Sequence, residues 1–258
     1  MILYGAPASQ PSRAVYWTCL LKELPFELRV PAGGPRGLAL EELNPKRQVP
    51  TIVDGDFVLY EMPAILVFLC EKHGWPDLYP ADLEMRARVN QYLHFHHSST
   101  RLATFKLMAP HVTIAFGGVS GEGIDVILRE SIRTAMSSPN VLEEGRKTVG
   151  SVAEMIERSY LNDGAPFLCA SPRATIADIA CYEELAQLRW AALFDFEGLP
   201  KLRRWLGAMA ELPYHEPVHS YNVALGDIRT EPNTLERFVA ASAVGVAALE
   251  KLGVHVAQ

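Results

Sequence analysis

The stretch "VPTIVDGDFVLYE", residues 49–61, determines the fold of the first part of the chain. Two runs rich in β-branched and aromatic residues, 51–53 and 57–60, lie on either side of Asp54-Gly55, a dipeptide typical of tight hairpin turns. The pattern therefore predicts two antiparallel strands. Any sheet that combines this pair with parallel strands must be mixed.

The segments around this hairpin alternate between strand and helix patterns. Strand patterns occupy residues 1–5 and 25–31, and helical patterns occupy residues 11–24, 38–43 and 62–74. The last helical segment has Pro63 in its first turn and Gly74 just past its end, as helices prefer. This order predicts a small α/β domain with a mixed sheet over residues 1–76.

Strand signals almost vanish after a linker rich in Pro and Asp, residues 75–82. Helical periodicity covers residues 84–108, 141–161, 175–193 and 199–210. Thr175 and Asp178 have the spacing of a capping box, in which each side chain satisfies the other's backbone at the helix entrance. The tail, residues 234–256, predicts further helix, split near Gly245. We therefore predict an all-helical second domain, residues 84–258, with a C-terminal helical extension.

Composition and charge exclude several classes of protein. The 258 residues are 49% hydrophobic and carry a formal charge of -6, and no cluster of Lys and Arg forms a patch for nucleic acid. No run of about 18 apolar residues predicts a membrane span. The four cysteines lie far apart without a C-x-x-C motif, and Cys19, Cys70 and Cys181 fall in apolar helical patterns. The expected location is the reducing cytoplasm.

Three features of the first domain indicate a binding site. Ser9 lies between a strand and a helix, where backbone N–H groups and the helix dipole favour an anion. Val49-Pro50 precedes a strand, and a cis peptide bond there would expose the backbone of Val49 for pairing with an extended peptide. Glu61 comes directly before the third helix and offers an opposite charge to a ligand amine.

These motifs together resemble those of cytosolic glutathione S-transferases. Ser9 and Ser12 form S-x-x-S where redox proteins carry C-x-x-C, and "NPKRQVPTIVDGDFVLYE" and "TIADI" follow in the expected order. The stretches "SQPSRAVYW", "LPFELRV" and "RARVNQYLHFHHSSTR" resemble the theta class and its bacterial dehalogenase-type relatives. The resemblance implies a thioredoxin-like domain that binds glutathione, an all-α helical-bundle domain that forms the electrophile pocket, and a homodimer.

The resemblance also implies roles for individual residues. Ser9 is the expected catalytic hydroxyl, Val49 beside Pro50 pairs with the cysteinyl part of glutathione, and Glu61 meets its γ-glutamyl end. Gln48 occupies a position where theta-like relatives often have a lysine against the glycine carboxylate. Met62 departs from the family pattern, in which a serine hydroxyl binds the γ-glutamyl carboxylate. Met62→Ser is therefore expected to tighten glutathione binding.

Further candidates come from the helical region. Arg101, in a theta-like stretch, is expected near the sulfur, with a surface ion pair as the alternative. Met108, Phe116 and Trp190 are apolar candidates for the substrate pocket, or core residues. Ser12 is interpreted mainly as a helix N-terminal serine and Arg13 as a partner in a structural ion pair, with a place in the substrate pocket as the alternative for Ser12 and ligand contact as that for Arg13.

The sequence offers no metal or phosphate site. His94, His96 and His97 are spaced so that they do not converge on one helical face, so no metal is expected. Residues 110–125 are rich in glycine without the order G-x-G-x-x-G, which predicts a flexible loop rather than a phosphate cradle.

Three functions are consistent with these sequence features. The first is a detoxification enzyme that activates glutathione. The thiolate would either be conjugated to a small hydrophobic electrophile or displace a halide. The second is a glutathione-transferase-like binding or assembly module with little catalysis, which Met62 favours. The third is a glutaredoxin-type thiol oxidoreductase, which Ser9 disfavours because the site lacks a cysteine. The tail is expected to form a helical lid over the pocket.

Overall fold

The computed structural model describes residues 1–31, 38–112, 139–229 and 233–257. The elements of the N-terminal region are β1 Ile2–Tyr4, α1 Gln10–Leu21, β2 Glu27–Arg29, α2 Leu38–Leu43, β3 Thr51–Asp54, β4 Phe57–Tyr60 and α3 Met62–His73. They are followed by α4 Leu83–Phe95, a π-helical turn His96–Thr100, α5 Arg101–Val112, α6 Val141–Ser159, a short 3-10 turn Leu168–Ala170, α7 Ile176–Trp190, α8 Pro200–Ala210, α9 His215–Leu225, α10 Leu235–Glu250 and β5 His255–Ala257.

The sheet is mixed, as the sequence predicts, and has the order β4-β3-β1-β2-β5. β1 pairs in parallel with β2 and antiparallel with β3, which forms the predicted hairpin with β4. Leu3, Leu28 and Ile52 come from the three central strands and are fully buried. The predicted thioredoxin-like sheet followed by a helical region is thus confirmed.

Helix α7 is the central helix of the second region, because every residue from Ile176 to Leu188 is buried. The predicted capping box opens it. Asp178 Oδ2 accepts hydrogen bonds from Thr175 N at 2.8 Å and Thr175 Oγ1 at 2.9 Å, and its Oδ1 accepts from Leu168 N and Trp205 Nε1. Burial raises the pKa of Asp178 to about 6 despite these donors. One carboxyl therefore ties together the 3-10 turn, α7 and α8.

Two predicted helices have different boundaries in the structure. The helix predicted over residues 84–108 is interrupted by the π-helical turn, and α5 then continues to Val112. Helix α9 was not predicted from the sequence, because Pro217 and the polar residues around it weaken the pattern. Pro217 lies in the first turn of α9, where the missing N–H costs no intrahelical bond. The glycine-rich segment extends beyond residue 112, outside the described residues.

The prediction for the tail is wrong in two respects. Helix α10 runs from Leu235 to Glu250 without a break at Gly245. The region from 84 to 258 is also not helical throughout, because His255–Ala257 form strand β5, which pairs in parallel with β2. A three-residue strand leaves too short a pattern to recognise, and its partner lies at the other end of the sequence.

Gly245 is required by close packing. A Cβ atom at this position would lie 2.6 Å from Pro7 Cβ and 3.3 Å from Tyr221 Cβ, so α10 rests directly on the loop that precedes α1. Within the described residues, no helix is long and apolar enough to cross a membrane.

We expect Gly245→Ala to lower the free energy of unfolding by about 1–3 kcal/mol, because the added methyl group forces α10 away from Pro7. Gly207→Ala is the matched control, since Gly207 lies inside α8 with nothing within 4 Å of the added Cβ. That control should raise stability by roughly 0.5–1 kcal/mol through helix propensity. Urea denaturation of both variants tests the prediction, and a stabilised Gly245→Ala protein contradicts it.

Candidate active site

Ser9 is the N-cap of helix α1. Its backbone is extended (φ -92°, ψ 116°), and its Oγ accepts a hydrogen bond from Ser12 N at 3.3 Å. Within the described residues, the Ser9 hydroxyl hydrogen has no acceptor, so Ser9 retains a donor at the positive end of a 12-residue helix. Ser12 is fully buried in α1, and a Cβ at Gly5 would lie 3.2 Å from its Oγ. Ser12 is therefore a packing residue.

A buried charge cluster holds the loop before Ser9. Arg13 Nη1 donates to the carbonyl of Pro7 at 2.9 Å, and Arg13 Nε donates to Glu183 Oε2 at 2.6 Å. Glu183 Oε1 lies 3.0 Å from His219 Nε2, and all three charged side chains are at most 1% exposed. The structural ion pair predicted for Arg13 is confirmed.

Hydrogen bonding fixes the charges in this cluster. His219 Nδ1 lies 2.7 Å from the carbonyl oxygen of His215, and its Nε2 faces the Glu183 carboxylate. Both partners of the His219 ring are oxygen acceptors, so the ring connects the main chain of α9 to the Glu183 carboxylate. Burial alone would raise the pKa of Glu183, but the His219 and Arg13 charges hold it below its usual range.

The turn before β3 presents backbone to solvent. The Val49-Pro50 peptide bond is cis, as the sequence suggested. Asn44 stiffens the turn, because its Nδ2 donates to the carbonyl of Gln48 at 2.9 Å and to Thr51 Oγ1 at 3.1 Å. Among the described residues, no hydrogen bond occupies the main chain of Val49. This backbone is available to an extended peptide ligand.

Glu61 is held in an unusual backbone conformation at the start of α3. Its φ is 70°, in the left-handed region that non-glycine residues rarely occupy. Its side chain does not cap the helix and instead accepts an ion-pair bond from Lys46 Nζ at 2.7 Å. Strain of this kind typically marks a functional site. Met62, next in sequence, is only 5% exposed.

An open cleft of about 540 Å³, counting its mouth, lies between this part of the first domain and the α4–α5 region. It is lined by Pro11, Asn44, Lys46, Gln48, Val49, Pro50, Glu61, Met62, Pro63, His96, His97 and Arg101. The cleft thus brings together most of the residues singled out in the sequence: Gln48, Val49, Pro50, Glu61, Met62 and Arg101.

Other predicted site residues lie elsewhere. Ser9 is half-buried two residues before Pro11 and does not line the cleft itself. Met108 packs against the hydrophobic core, and Trp190 stacks on His219 with ring centroids 5.0 Å apart, so neither lines the cleft. Phe116 lies outside the described residues.

Arg101 is held by a chain of hydrogen bonds that reaches across to α1. Its Nη1 donates to Glu184 Oε1 at 2.6 Å, while Glu184 Oε2 accepts from Thr104 Oγ1 at 2.5 Å and Gln187 Nε2 at 3.2 Å. Gln187 Oε1 in turn accepts from Gln10 Nε2 at 2.6 Å. The Arg101 side chain is 33% exposed and lines the cleft. The two interpretations from the sequence are therefore compatible, because Arg101 forms an ion pair and also lies at the site.

His96 is the cleft residue whose role sequence analysis missed. It is 1% exposed, and neither ring nitrogen has a hydrogen-bond partner in the described part of the chain. Each unsatisfied buried nitrogen costs about 1–3 kcal/mol. Burial lowers the pKa of His96 to about 4, so the ring is neutral near pH 7. The sequence signal was the triplet of histidines, which we weighed only as metal ligands.

Lys46 and Asn44 were also missed, although both lie in the turn that carries Gln48. In the described part of the chain, no three or more His, Cys, Asp or Glu side chains form a group that could hold a metal ion. All four cysteines are buried and unbridged, which confirms the buried positions predicted for Cys19, Cys70 and Cys181.

Comparison with known proteins places this geometry in context. Residues 3–77 match the model for the N-terminal domain of glutathione S-transferases. The chain is 34% identical to human glutathione S-transferase theta-1 over 207 residues, which cover 79% of each protein. It is 36% identical to human glutathione S-transferase theta-2 over 203 residues, covering 77% of this chain and 76% of the relative.

Solved structures give the same result for the fold. Human glutathione transferase theta-2, in complex with glutathione and an unknown ligand, matches with a TM-score of 0.72 and 30% identity over 95% of this chain and 98% of that one. The apo form of human glutathione-S-transferase T1-1 matches with a TM-score of 0.74 and 28% identity, over 96% and 99% of the two chains.

Proposed function

Because the chain belongs to the glutathione S-transferase family, we propose that it activates glutathione through the Ser9 hydroxyl and transfers the thiolate to a small electrophile. The observation that carries the proposal is the hydroxyl at the start of α1. Ser9 Oγ accepts the Ser12 N–H and keeps its own hydrogen available to donate to a sulfur. The attacking thiol thus comes with the cosubstrate, and the protein supplies the donor.

The energy available at Ser9 is sufficient for this task. A thiol with a pKa of about 8.5 needs a decrease of about 1.5 units, or roughly 2 kcal/mol, to be half ionised near pH 7, and each further unit, about 1.4 kcal/mol, shifts the equilibrium tenfold towards the thiolate. A hydrogen bond to a charged group contributes about 1.5–3 kcal/mol. A helix N-terminus adds about 0.3–1 kcal/mol. Ser9 therefore need not act as a base.

The cleft suggests how glutathione lies. The free main chain of Val49, after the stiff turn, pairs with the cysteinyl residue. Gln48 is proposed to donate to the glycine carboxylate, and Glu61 to accept from the γ-glutamyl amine in place of Lys46. Each of these groups lines the cleft, and Lys46 already shows that Glu61 accepts a cation there.

Arg101 is proposed to stabilise a negative charge on the leaving group or substrate. Glu184 accepts from Nη1 of its guanidinium, and the other guanidinium nitrogens have no partner among the described residues, on a side chain that lines the cleft. A human theta-class structure contains the glutathione conjugate of 1-menaphthyl sulfate, a product class consistent with an anionic leaving group. We also propose that the protein acts as a cytoplasmic homodimer, as the resemblance to the family implies.

Turnover of purified protein with glutathione and alkyl or benzyl halides tests the proposal. We expect halide release that depends on both glutathione and enzyme and saturates with each substrate. Reactions without glutathione, and with an S-methylated glutathione that has no free thiol, are the controls. Halide release that is independent of glutathione contradicts the proposal.

A second candidate function is a glutathione-binding module with little catalysis. Met62 favours it, because this buried thioether replaces a hydroxyl that the family pattern places beside the γ-glutamyl carboxylate. Retention on immobilised glutathione without turnover of any halide tested would support this alternative over the enzyme.

A further inference from the structure

His96 has features that packing alone does not explain. Its imidazole lies in the π-helical turn between α4 and α5 and lines the cleft, and its two buried nitrogens find no partner among the residues that the structure describes. Replacing it with an apolar ring would remove that penalty. π-helical turns inside helices are rare and frequently lie at functional sites. The position is therefore maintained at the expense of stability.

The lysine and arginine side chains that line the cleft are already paired. Lys46 bonds to Glu61 at 2.7 Å, and Arg101 bonds to Glu184 at 2.6 Å. Among the described residues that line the cleft, His96 alone has buried polar side-chain atoms without a partner. Among these residues, His96 is therefore the one with unused hydrogen-bonding capacity for a bound ligand.

The chemistry of glutathione indicates which ligand group this is. Its γ-glutamyl residue carries an amine and a carboxylate on the same carbon, so a carboxylate must lie beside any amine bound at Glu61. The two residues after Glu61 offer this carboxylate no side-chain donor, because the side chain of Met62 is a thioether and that of Pro63 is apolar. Pro63 also has no backbone N–H. The start of α3 offers the carboxylate only backbone N–H groups, so a side-chain donor in place of the missing hydroxyl has to come from across the cleft, where His96 lies.

We propose that His96 binds the α-carboxylate of the γ-glutamyl residue of glutathione and so replaces the hydroxyl absent at Met62. The proposal rests on the proposed function, since it assigns one contact within the same glutathione site. His96 acts here as a hydrogen-bond donor and a binding residue, with no part in proton transfer to the thiol.

The charged surroundings of His96 predict how binding depends on pH. Glu184 from α7 favours its protonation, while Arg101 from α5 and the neighbouring His97 oppose it. A bound carboxylate adds a second negative charge, so the pKa of His96 must rise in the complex. Affinity should therefore increase as the pH falls from about 7 to about 5, a range in which the ligand's own α-carboxylate stays ionised.

The test uses two ligands and calorimetry. S-methylglutathione carries the α-carboxylate without a titrating thiol, and 4-aminobutanoyl-cysteinylglycine, also S-methylated, lacks only that carboxylate. We expect wild-type protein to bind the first about 10–100-fold more tightly. His96→Phe should remove both this preference and the pH dependence, and His96→Gln should retain part of each. His94→Leu changes an exposed residue of α4 and should bind both ligands as wild type does.

Stability distinguishes binding from packing. His96→Phe should raise the Tm of the ligand-free protein, because it replaces two unsatisfied nitrogens with an apolar ring of similar shape. His96→Leu provides a second apolar variant if His96→Phe does not fold. The sequence led us to expect tighter glutathione binding in Met62→Ser. If His96 binds the carboxylate, Met62→Ser should change the affinity of wild type little, but it should restore the affinity that His96→Phe loses.

The outcomes separate this inference from the function it rests on. Equal affinity of wild type and His96→Phe for S-methylglutathione overturns the role of His96. So does a decrease in the affinity of His96→Phe that is the same for both ligands. Either result leaves the proposal of glutathione transfer intact. Wild-type protein that binds neither ligand overturns both.

Discussion

Replacing Ser9 with alanine should lower kcat/KM for glutathione transfer about 10–100-fold, the rate equivalent of losing a hydrogen bond to a charged sulfur. The bound thiol should then titrate closer to its ordinary pKa of about 8.5. Activity of the variant should consequently recover as the pH rises, whereas wild type should already be near its plateau at neutral pH. The pH profile of kcat/KM, together with the ultraviolet absorbance of bound thiolate, measures both effects.

Ser12→Ala is the matched control for this experiment. Ser12 lies three residues away on the same helix, is fully buried, and its Oγ has no hydrogen-bond partner. Its removal should leave the pH profile unchanged. If Ser9→Ala and Ser12→Ala have the same kinetics as wild type, the thiolate is formed by another group.

Removing the Glu183 carboxylate should lower the free energy of unfolding by about 3–5 kcal/mol, because Glu183→Ala leaves the buried Arg13 guanidinium without a counter-charge and His219 Nε2 without its acceptor. Arg13 and His219 together hold helices α1 and α9 against α7 through this single carboxylate. Chemical denaturation of the variant measures the loss. A decrease below about 1 kcal/mol, the range of exposed ion pairs, contradicts this role.

The double variant Arg13→Met/Glu183→Leu tests whether charge imbalance is the cause. Replacing a buried pair by apolar residues of similar volume is often neutral, so the double variant should recover most of the stability. Its activity should remain low, because Arg13 Nη1 no longer holds the carbonyl of Pro7 in the loop before Ser9. Recovery of stability without recovery of kcat/KM is the result expected.

Acid should destabilise wild type through the same carboxylate. The pKa of Glu183 is lower in the folded protein than its ordinary value of 4.5. Its contribution to the free energy of unfolding is therefore complete above pH 4.5 and is lost as the pH falls through the lower pKa of the folded state. Stability below pH 4.5 should decline less steeply in the double variant than in wild type.

Features determined by local chemistry could be predicted from the sequence. The hairpin follows from Asp54-Gly55 between two β-rich runs, and the capping box follows from the spacing of Thr175 and Asp178. The site residues of the first domain lie in short motifs, and six candidates meet in one cleft. In these cases the residues that interact are close in sequence.

Features that depend on distant partners could not be predicted. The partner of Arg13, Glu183, lies 170 positions away, and nothing in either neighbourhood indicates which acid is chosen. The π-helical turn that buries His96 depends on packing between helices rather than on the propensities of its five residues. Gly245 suggested a break, because sequence alone does not distinguish a flexible glycine from one that permits close contact.

Strand β5 has a consequence for how the protein is made. During synthesis β2 emerges early, but the strand that covers its outer edge, β5, starts at His255, which is 255 − 29 = 226 positions after the end of β2 at Arg29. For most of translation the nascent sheet therefore exposes an unpaired parallel edge, which another nascent chain could join. Chaperone protection of this edge on the ribosome is thus most needed for the domain that is synthesised first.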